Sequence, residues 1–172
     1  MKDIQILEAS EVKLSDYRAL RLEALQKEPQ AFGSSYEDQK NAPDADWQTW
    51  LNNYIEGERN WMVFAAINNK LVGMLGAFQT DQDVEAQIAQ LIAVYVTKDA
   101  RGKGVSKLLM KRLLDKIIRD TPVKKLKLAV NIDQTAAVEL YKSFGFEVVG
   151  KENMTLGDRK THEEYLMKKK LK

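Results

Sequence analysis

Apolar residues in this chain recur at two periods, alternating where a strand is half-buried and returning every three to four residues where a helix is. Ile4 and Leu7 mark a short first strand, and Ser15 opens a helical pattern through Tyr17, Leu20, Ala24 and Leu25 that Pro29 ends. Residues 31–43, with Gly33, Ser34, Ser35 and Asn41, read as a loop. Trp47, Trp50, Leu51, Tyr54 and Ile55 form the apolar stripe of a second helix, capped by Asp44 or Asp46 and stopping near Gly57. Apolar runs at 61–67 and 71–80 flank Asn68-Asn69-Lys70, a turn whose asparagines accept left-handed backbone, so a hairpin is expected.

Residues 86–97 read as one long strand. Val105, Leu108, Leu109, Leu113 and Ile117 then mark one face of a helix that Pro122 closes. Leu126, Leu128 and Val130 alternate as a strand, and Asp133 is placed to cap a short helix with Ala136, Ala137, Leu140 and Tyr141. Gly145 ends that helix, and strands at 146–149 and 164–167 complete the pattern. The order is strand, two helices, three strands in a meander, helix, strand, helix, two strands. It predicts an α/β (α+β) fold, a mixed and mostly antiparallel sheet of about six to seven strands flanked by about four helices. The pair joined across the Val105 helix is the parallel one.

A length of 172 residues fits a single domain over 1–172 with a core of its own, and no repeat or linker divides it. With 44% hydrophobic and 30% charged residues the chain is of ordinary globular composition, and a net charge of +2 does not point to nucleic acid. No cysteine is present, which removes disulfides, thiolate metal sites and a cysteine nucleophile, and the one histidine, His162, makes no metal cluster. The longest wholly apolar run, 61–67, is far short of the roughly 20 residues that span a bilayer. The first residues mix charges and show no apolar signal core, so a cytoplasmic location is expected and no membrane partner.

The chemistry-bearing stretch is Arg101-Gly102-Lys103-Gly104-Val105-Ser106, set between an apolar strand and an amphipathic helix. The first N–H groups of a helix have no intrahelical partner and lie at the positive end of its dipole, so a phosphate can satisfy several together. Glycines tolerate positive φ and let the backbone come close. Taken alone, the hexapeptide is equally a simple bend, and its spacing matches neither a P-loop nor a dinucleotide fingerprint.

Two blocks carry a resemblance. Ala93-Val94-Tyr95-Val96 followed by Arg101 to Ser106 and Leu108-Leu109 is the first; Leu128-Ala129-Val130-Asn131, Ala136-Ala137 and Leu140-Tyr141-Lys142-Ser143-Phe144-Gly145-Phe146 is the second. Together they resemble the GCN5-related N-acetyltransferase (GNAT) superfamily, with its Arg/Gln-x-x-Gly-x-Gly/Ala turn and its Leu-Tyr-x-x-x-Gly-Phe block. The resemblance implies a sheet splayed at the central parallel pair, with acetyl-CoA as donor and its pantetheine arm lying in the gap. Backbone of Val94, Tyr95 and Val96 is then expected to line that arm, with nearby N–H groups facing the acetyl carbonyl. Arg101, Gly102, Lys103, Gly104, Val105, Ser106 and Lys107 are expected around the pyrophosphate, Lys107 being equally a solvated helix residue. Ser106 stands where relatives have glycine or alanine. Gln134 stands where many have an asparagine that contacts the cofactor, and Asn131 is either a neighbouring contact or a cap.

Tyr141 is implied as the general acid that protonates the departing thiolate, its bland alternative being core packing. An amine must lose a proton before it attacks, and many relatives place a glutamate on the long strand, where this chain has Gln90. Gln90 cannot be a base. Glu85 serves only if the strand is offset, and ordered water is the other route. Phe32, Ser34, Tyr36 and Tyr165 are the expected acceptor wall, the tryptophans read as core, and the lysines at 168–172 read as a solubilising tail. The implied activity is acetyl transfer from acetyl-CoA to a primary amine by direct attack in a ternary complex. A small-molecule acceptor is favoured, no metal is called for, and a homodimer is compatible. Acetylation of a peptide or protein amine and a non-catalytic acyl-CoA sensor are the competing readings.

Overall fold

The computed structural model describes residues 3–172. Among the described residues seven strands form one sheet: β1 (Ile4–Glu8), β2 (Asn60–Ile67), β3 (Lys70–Phe78), β4 (Ile88–Val96), β5 (Lys125–Asn131), β6 (Glu147–Thr155) and β7 (Thr161–Lys170). Their order is β1-β2-β3-β4-β5-β7-β6, and only β4 and β5 run parallel. The mixed, mostly antiparallel sheet expected from the sequence is present.

Side-chain alternation along β2 sends Val63 and Ala65 into one core and Met62 and Phe64 into another. On the first face lie α5 (Val105–Asp120) and α6 (Thr135–Ser143), burying Val105, Leu109, Leu113, Ile117, Val138 and Tyr141. On the second lie α1 (Leu14–Lys27) and α3 (Asp44–Glu56), which bury Tyr17, Leu20, Leu25, Trp47 and Leu51. A one-turn α2 (Tyr36–Gln39), capped by the Ser35 hydroxyl, interrupts the segment that reads as a loop.

The long strand expected at 86–97 is divided. Thr80 and Asp83 form a reciprocal capping box that starts α4 (Asp81–Ala86), and Gln87 at φ 54° ends it, so β4 begins at Ile88. The last two strands are longer than the apolar pattern suggests. Register pairs Lys168, Lys169 and Lys170 with Lys127, Leu126 and Lys125, so the expected tail is ladder as far as Lys170. Backbone bonds hold these residues while their side chains reach solvent or neighbouring turns, which an apolar count cannot detect. At the helix starts the cap positions are Pro43, in place of the expected Asp44 or Asp46, and Gln134, one residue after the expected Asp133.

Two features of β4 position the site. Its pairing with β5 covers only Ile88, Ala89 and Gln90 against Lys125, Leu126 and Lys127. Beyond Gln90 the strands part, as the splay implied by the resemblance requires. The register against β3 also slips between Met74 and Gly76, and Ala93 takes a left-handed φ of 57°, which marks a bulge in β4 where the gap opens.

Candidate active site

The gap between β4 and β5 leads into two cavities that share Ala31, Val94, Gln134 and Ala137. The outer one, about 680 Å³, is lined by Val94, Tyr95, Val96, Arg101, Gly102, Gly104, Val105, Ser106 and Lys107 together with residues of α6. The inner one, about 590 Å³, reaches from Leu91–Val94 and Leu128–Asn131 to the underside of α1 and α3.

The turn before α5 is shaped to present its amides. Gly102 sits at φ 74° and Gly104 at φ 81°, and a Cβ built on either meets nothing within 4 Å, so the glycines answer to backbone conformation and not to crowding. Gly104 caps α5 without a side-chain bond, and the first i to i−4 bond is Leu108 N–H to the Gly104 carbonyl at 3.1 Å. The amides of Val105, Ser106 and Lys107 are therefore unsatisfied within the helix and border the cavity. Such a ring suits a pyrophosphate.

The side chains around it divide in role. Arg101 donates through Nε to the Val96 carbonyl at 3.0 Å and through Nη2 to Glu28 at 2.8 Å, which pins the turn to β4 and to the end of α1. Lys103 donates to the Asp99 carbonyl at 2.7 Å and does not line either cavity. Tyr95 contributes backbone to the gap, while its hydroxyl donates to Glu23 at 2.9 Å on the second face. Asn131 lines the inner cavity with its side chain engaged: its amide donates to the Gln30 carbonyl at 3.1 Å and its oxygen accepts from Asp133 N–H at 3.0 Å. Gln134 lies where the two cavities meet.

Tyr141 borders the inner cavity from the first face, 5% exposed, with its ring 5.9 Å from that of Phe146 at an interplanar angle of 65°. Its hydroxyl has no hydrogen-bond partner among the described residues, and burial pushes its pKa above the ordinary tyrosine value. It stays protonated at neutral pH and has a proton to give.

Gln90 also borders the inner cavity, but its amide donates to Asp83 at 3.0 Å. Lys127 reaches the other Asp83 oxygen at 2.5 Å, so the position where relatives have a base is here part of a structural network. Glu85 is exposed on α4 and lines neither cavity. Of the expected acceptor wall, Phe32 and Ser34 line the inner cavity, whereas Tyr36 and Tyr165 lie outside it, against Lys40 and Lys151. Residues not expected in that wall line the cavity as well: Arg21 and Tyr54 from α1 and α3, and Glu164 from β7. Glu164 is 5% exposed, and burial together with Glu152 opposite it raises its pKa, with His162 pulling the other way. Nothing in the apolar pattern marks it.

Residues 20–146 match the model of the acetyltransferase (GNAT) family. This chain is a GNAT-family acetyltransferase. That family draws on acetyl-CoA. Among solved structures, a GNAT-family acetyltransferase from Streptococcus pneumoniae is 21% identical with a TM-score of 0.83, covering 99% of this chain and 100% of that one. A ribosomal-protein-alanine N-acetyltransferase from Brucella melitensis is 20% identical at TM-score 0.79, covering 98% and 99%. The Salmonella typhimurium acetyltransferase yncA, solved with acetyl-CoA, is 15% identical at TM-score 0.78, covering 100% and 95%. At such identities the likeness is one of fold. Among curated proteins no sequence match is found.

Proposed function

We propose that this GNAT acetyltransferase moves acetyl from acetyl-CoA to the primary amine of a small molecule, by direct attack while both are bound. The observation that carries the reading is the continuity of the site: an amide-ringed outer cavity opens through the β4–β5 gap into an inner cavity bordered by an unpartnered tyrosine hydroxyl. The donor supplies a thioester carbonyl and a thiolate leaving group. Amides of Gly102, Gly104, Val105 and Ser106 hold its phosphates, and the β5-facing edge of β4 beyond Gln90, which β5 leaves unpaired, holds the arm by strand addition. N–H groups at the Ala93–Val94 bulge face the place where carbonyl charge develops, and Tyr141 gives the sulfur its proton. Holding both substrates together supplies much of the rate by itself.

A small acceptor is favoured by how the inner cavity is walled. The segment 29–34 is tied to β5 by Asn131 on Gln30, and to the β6–β7 turn by Gly157 N–H on the Phe32 carbonyl at 2.7 Å. A Cβ at Gly157 would come within 2.4 Å of the Ser34 carbonyl, so the two segments meet too closely to leave a groove there for a peptide. Incubation with acetyl-CoA and separate panels of small amines and short peptides, followed by thiol release, tests the reading. Turnover of peptides alone would move the acceptor to a protein terminus. Tight acetyl-CoA binding with no release on any amine would make the fold a sensor.

A further inference from the structure

A charged side chain withdrawn from water is costly unless a partner replaces what it loses. Most partly buried charges here have one: Glu8 with Arg112 at 2.7 Å and Lys116 at 2.9 Å, Arg101 with Glu28, Asp83 with Lys127. Arg21 and Glu164 are different. No carboxylate lies within 4.0 Å of Arg21 and no cation within 4.0 Å of Glu164 among the described residues, so they do not pair with each other either. Arg21 is partly buried, its Nε donates to the Gln39 side chain at 3.2 Å, and its guanidinium carbon stands 5.3 Å from the centre of the Phe32 ring. Among the described residues its terminal nitrogens donate to no protein group, and neither is sealed from solvent, so they are accessible to a ligand.

Both charges line the inner cavity. Arg21 is the only cation and Glu164 the only carboxylate among the described residues that do so. The geometry points to an amino acid as the acceptor, its carboxylate held by Arg21 and its amine against Glu164. This rests on the acetyl-transfer reading and names the substrate class within it. A guanidinium fork matches a carboxylate with two parallel bonds. A zwitterion matches one cation and one carboxylate charge for charge. A phosphomonoester would bring a second negative charge to a site with one cation, and a polyamine would bring cations to a site with one acid. Tyr17 and Tyr54 beside Arg21 are kept neutral by burial and supply no countercharge.

The step balances. Glu164 takes a proton from the ammonium, whose freed lone pair forms the bond to the acetyl carbon as the carbon–sulfur bond breaks. Tyr141 protonates the sulfur, the proton shed by the nitrogen on becoming an amide restores Tyr141 through solvent, and Glu164 releases its proton to water.

The test compares L-amino acids, β-alanine and γ-aminobutyrate with their amides, their decarboxylated amines and phosphoethanolamine, by thiol release. Amino acids are expected to exceed their carboxylate-free counterparts about tenfold to a hundredfold in kcat/KM. Arg21→Met is expected to collapse that ratio, chiefly through KM, and Arg21→Lys to keep part of it. Carboxylate-free amines or phosphoethanolamine that match the amino acids would overturn the inference, as would an unchanged ratio in Arg21→Met. The wild-type panel decides even where a variant fails to fold. Calorimetric titration of the same amino acids in the presence of CoA separates the two readings. Arg21-dependent binding without thiol release removes acetyl transfer and keeps the subsite; thiol release from simple amines without carboxylate preference does the reverse.

Discussion

Replacing Tyr141 with phenylalanine takes away one hydroxyl and, by the geometry, nothing else. Among the described residues that hydroxyl bonds to no protein group, and the ring keeps its edge contact with Phe146 at 5.9 Å, so no buried partner is orphaned. Stability is expected to stay within about 0.5 kcal/mol, roughly 2 °C in melting temperature for a domain of this size. Catalysis is another matter. General acids contribute about 10² to 10⁴, and a thiol of pKa about 8.5 leaves readily enough to place the loss near the lower end, about a hundredfold or 2.7 kcal/mol in kcat. CoA affinity, measured by calorimetry, is expected to hold. The deficit has a pH signature: above about pH 8.5 the thiolate departs stably without a proton, so the wild-type and variant rates converge. Burial keeps Tyr141 itself protonated over that range. A kcat within about threefold of wild type at neutral pH, with an unchanged melting temperature, would refute the assignment, and a matching loss of fold would show that the hydroxyl is structural.

Gly104→Ala forces a side chain into left-handed backbone at φ 81°, a cost of about 1–2 kcal/mol that calorimetric melting reads as roughly 2–8 °C, with weaker CoA binding because the cradle loses its shape. Asp83→Asn is expected to lower stability by about 1–3 kcal/mol at pH 7 in denaturant titrations, because Lys127 loses its partner. Burial opposes ionisation of Asp83, but hydrogen bonds from Lys127, Gln90 and Thr80 prevail and hold its pKa well below the carboxylate range. Its contribution is therefore whole above about pH 4 and lost as acid protonates it, so wild type and variant converge in acid. Glu164→Gln is expected to lower kcat by about 10² or more on an amino-acid acceptor. Because the folded-state pKa of Glu164 is raised, its favourable share is present below about pH 4.3 and lost as pH rises through that pKa, so the variant melts higher at pH 7 and like wild type in acid. Glu152→Gln removes the like charge opposite and moves the acid limb of the rate profile to lower pH, with His162 and Arg21 unchanged.

Much of the fold was legible because core burial is written locally. Val63 and Phe64 alternate, and Val105, Leu109 and Leu113 repeat at helical spacing, because each faces a core whatever fills it. Departures from the pattern came where backbone bonds outweighed apolar count. Lys168 to Lys170 extend β7 through ladder bonds to β5, and Thr80 with Asp83 stops a run that reads as strand and starts a helix. The Thr80-x-x-Asp83 spacing was itself a readable signal.

The proposed donor side of the site is local too. Gly102, Gly104 and the start of α5 are neighbours in sequence, so motif and geometry coincide. The proposed acceptor side is not. Arg21 and Glu164 come from the first helix and the last strand, and both resemble ordinary surface charges when read along the chain. What sets them apart is the lack of a partner, and a residue's partners are fixed only when distant segments pack. The sequence by itself determined the apolar faces of the main helices and strands, most of their order and the glycine turn before α5, since these depend on spacing between near neighbours. Only the tertiary structure decided how far β4 and β5 stay paired, that Asp83 claims Gln90, and that one cation and one carboxylate are left facing the same cavity, since each follows from contacts between residues far apart in the chain.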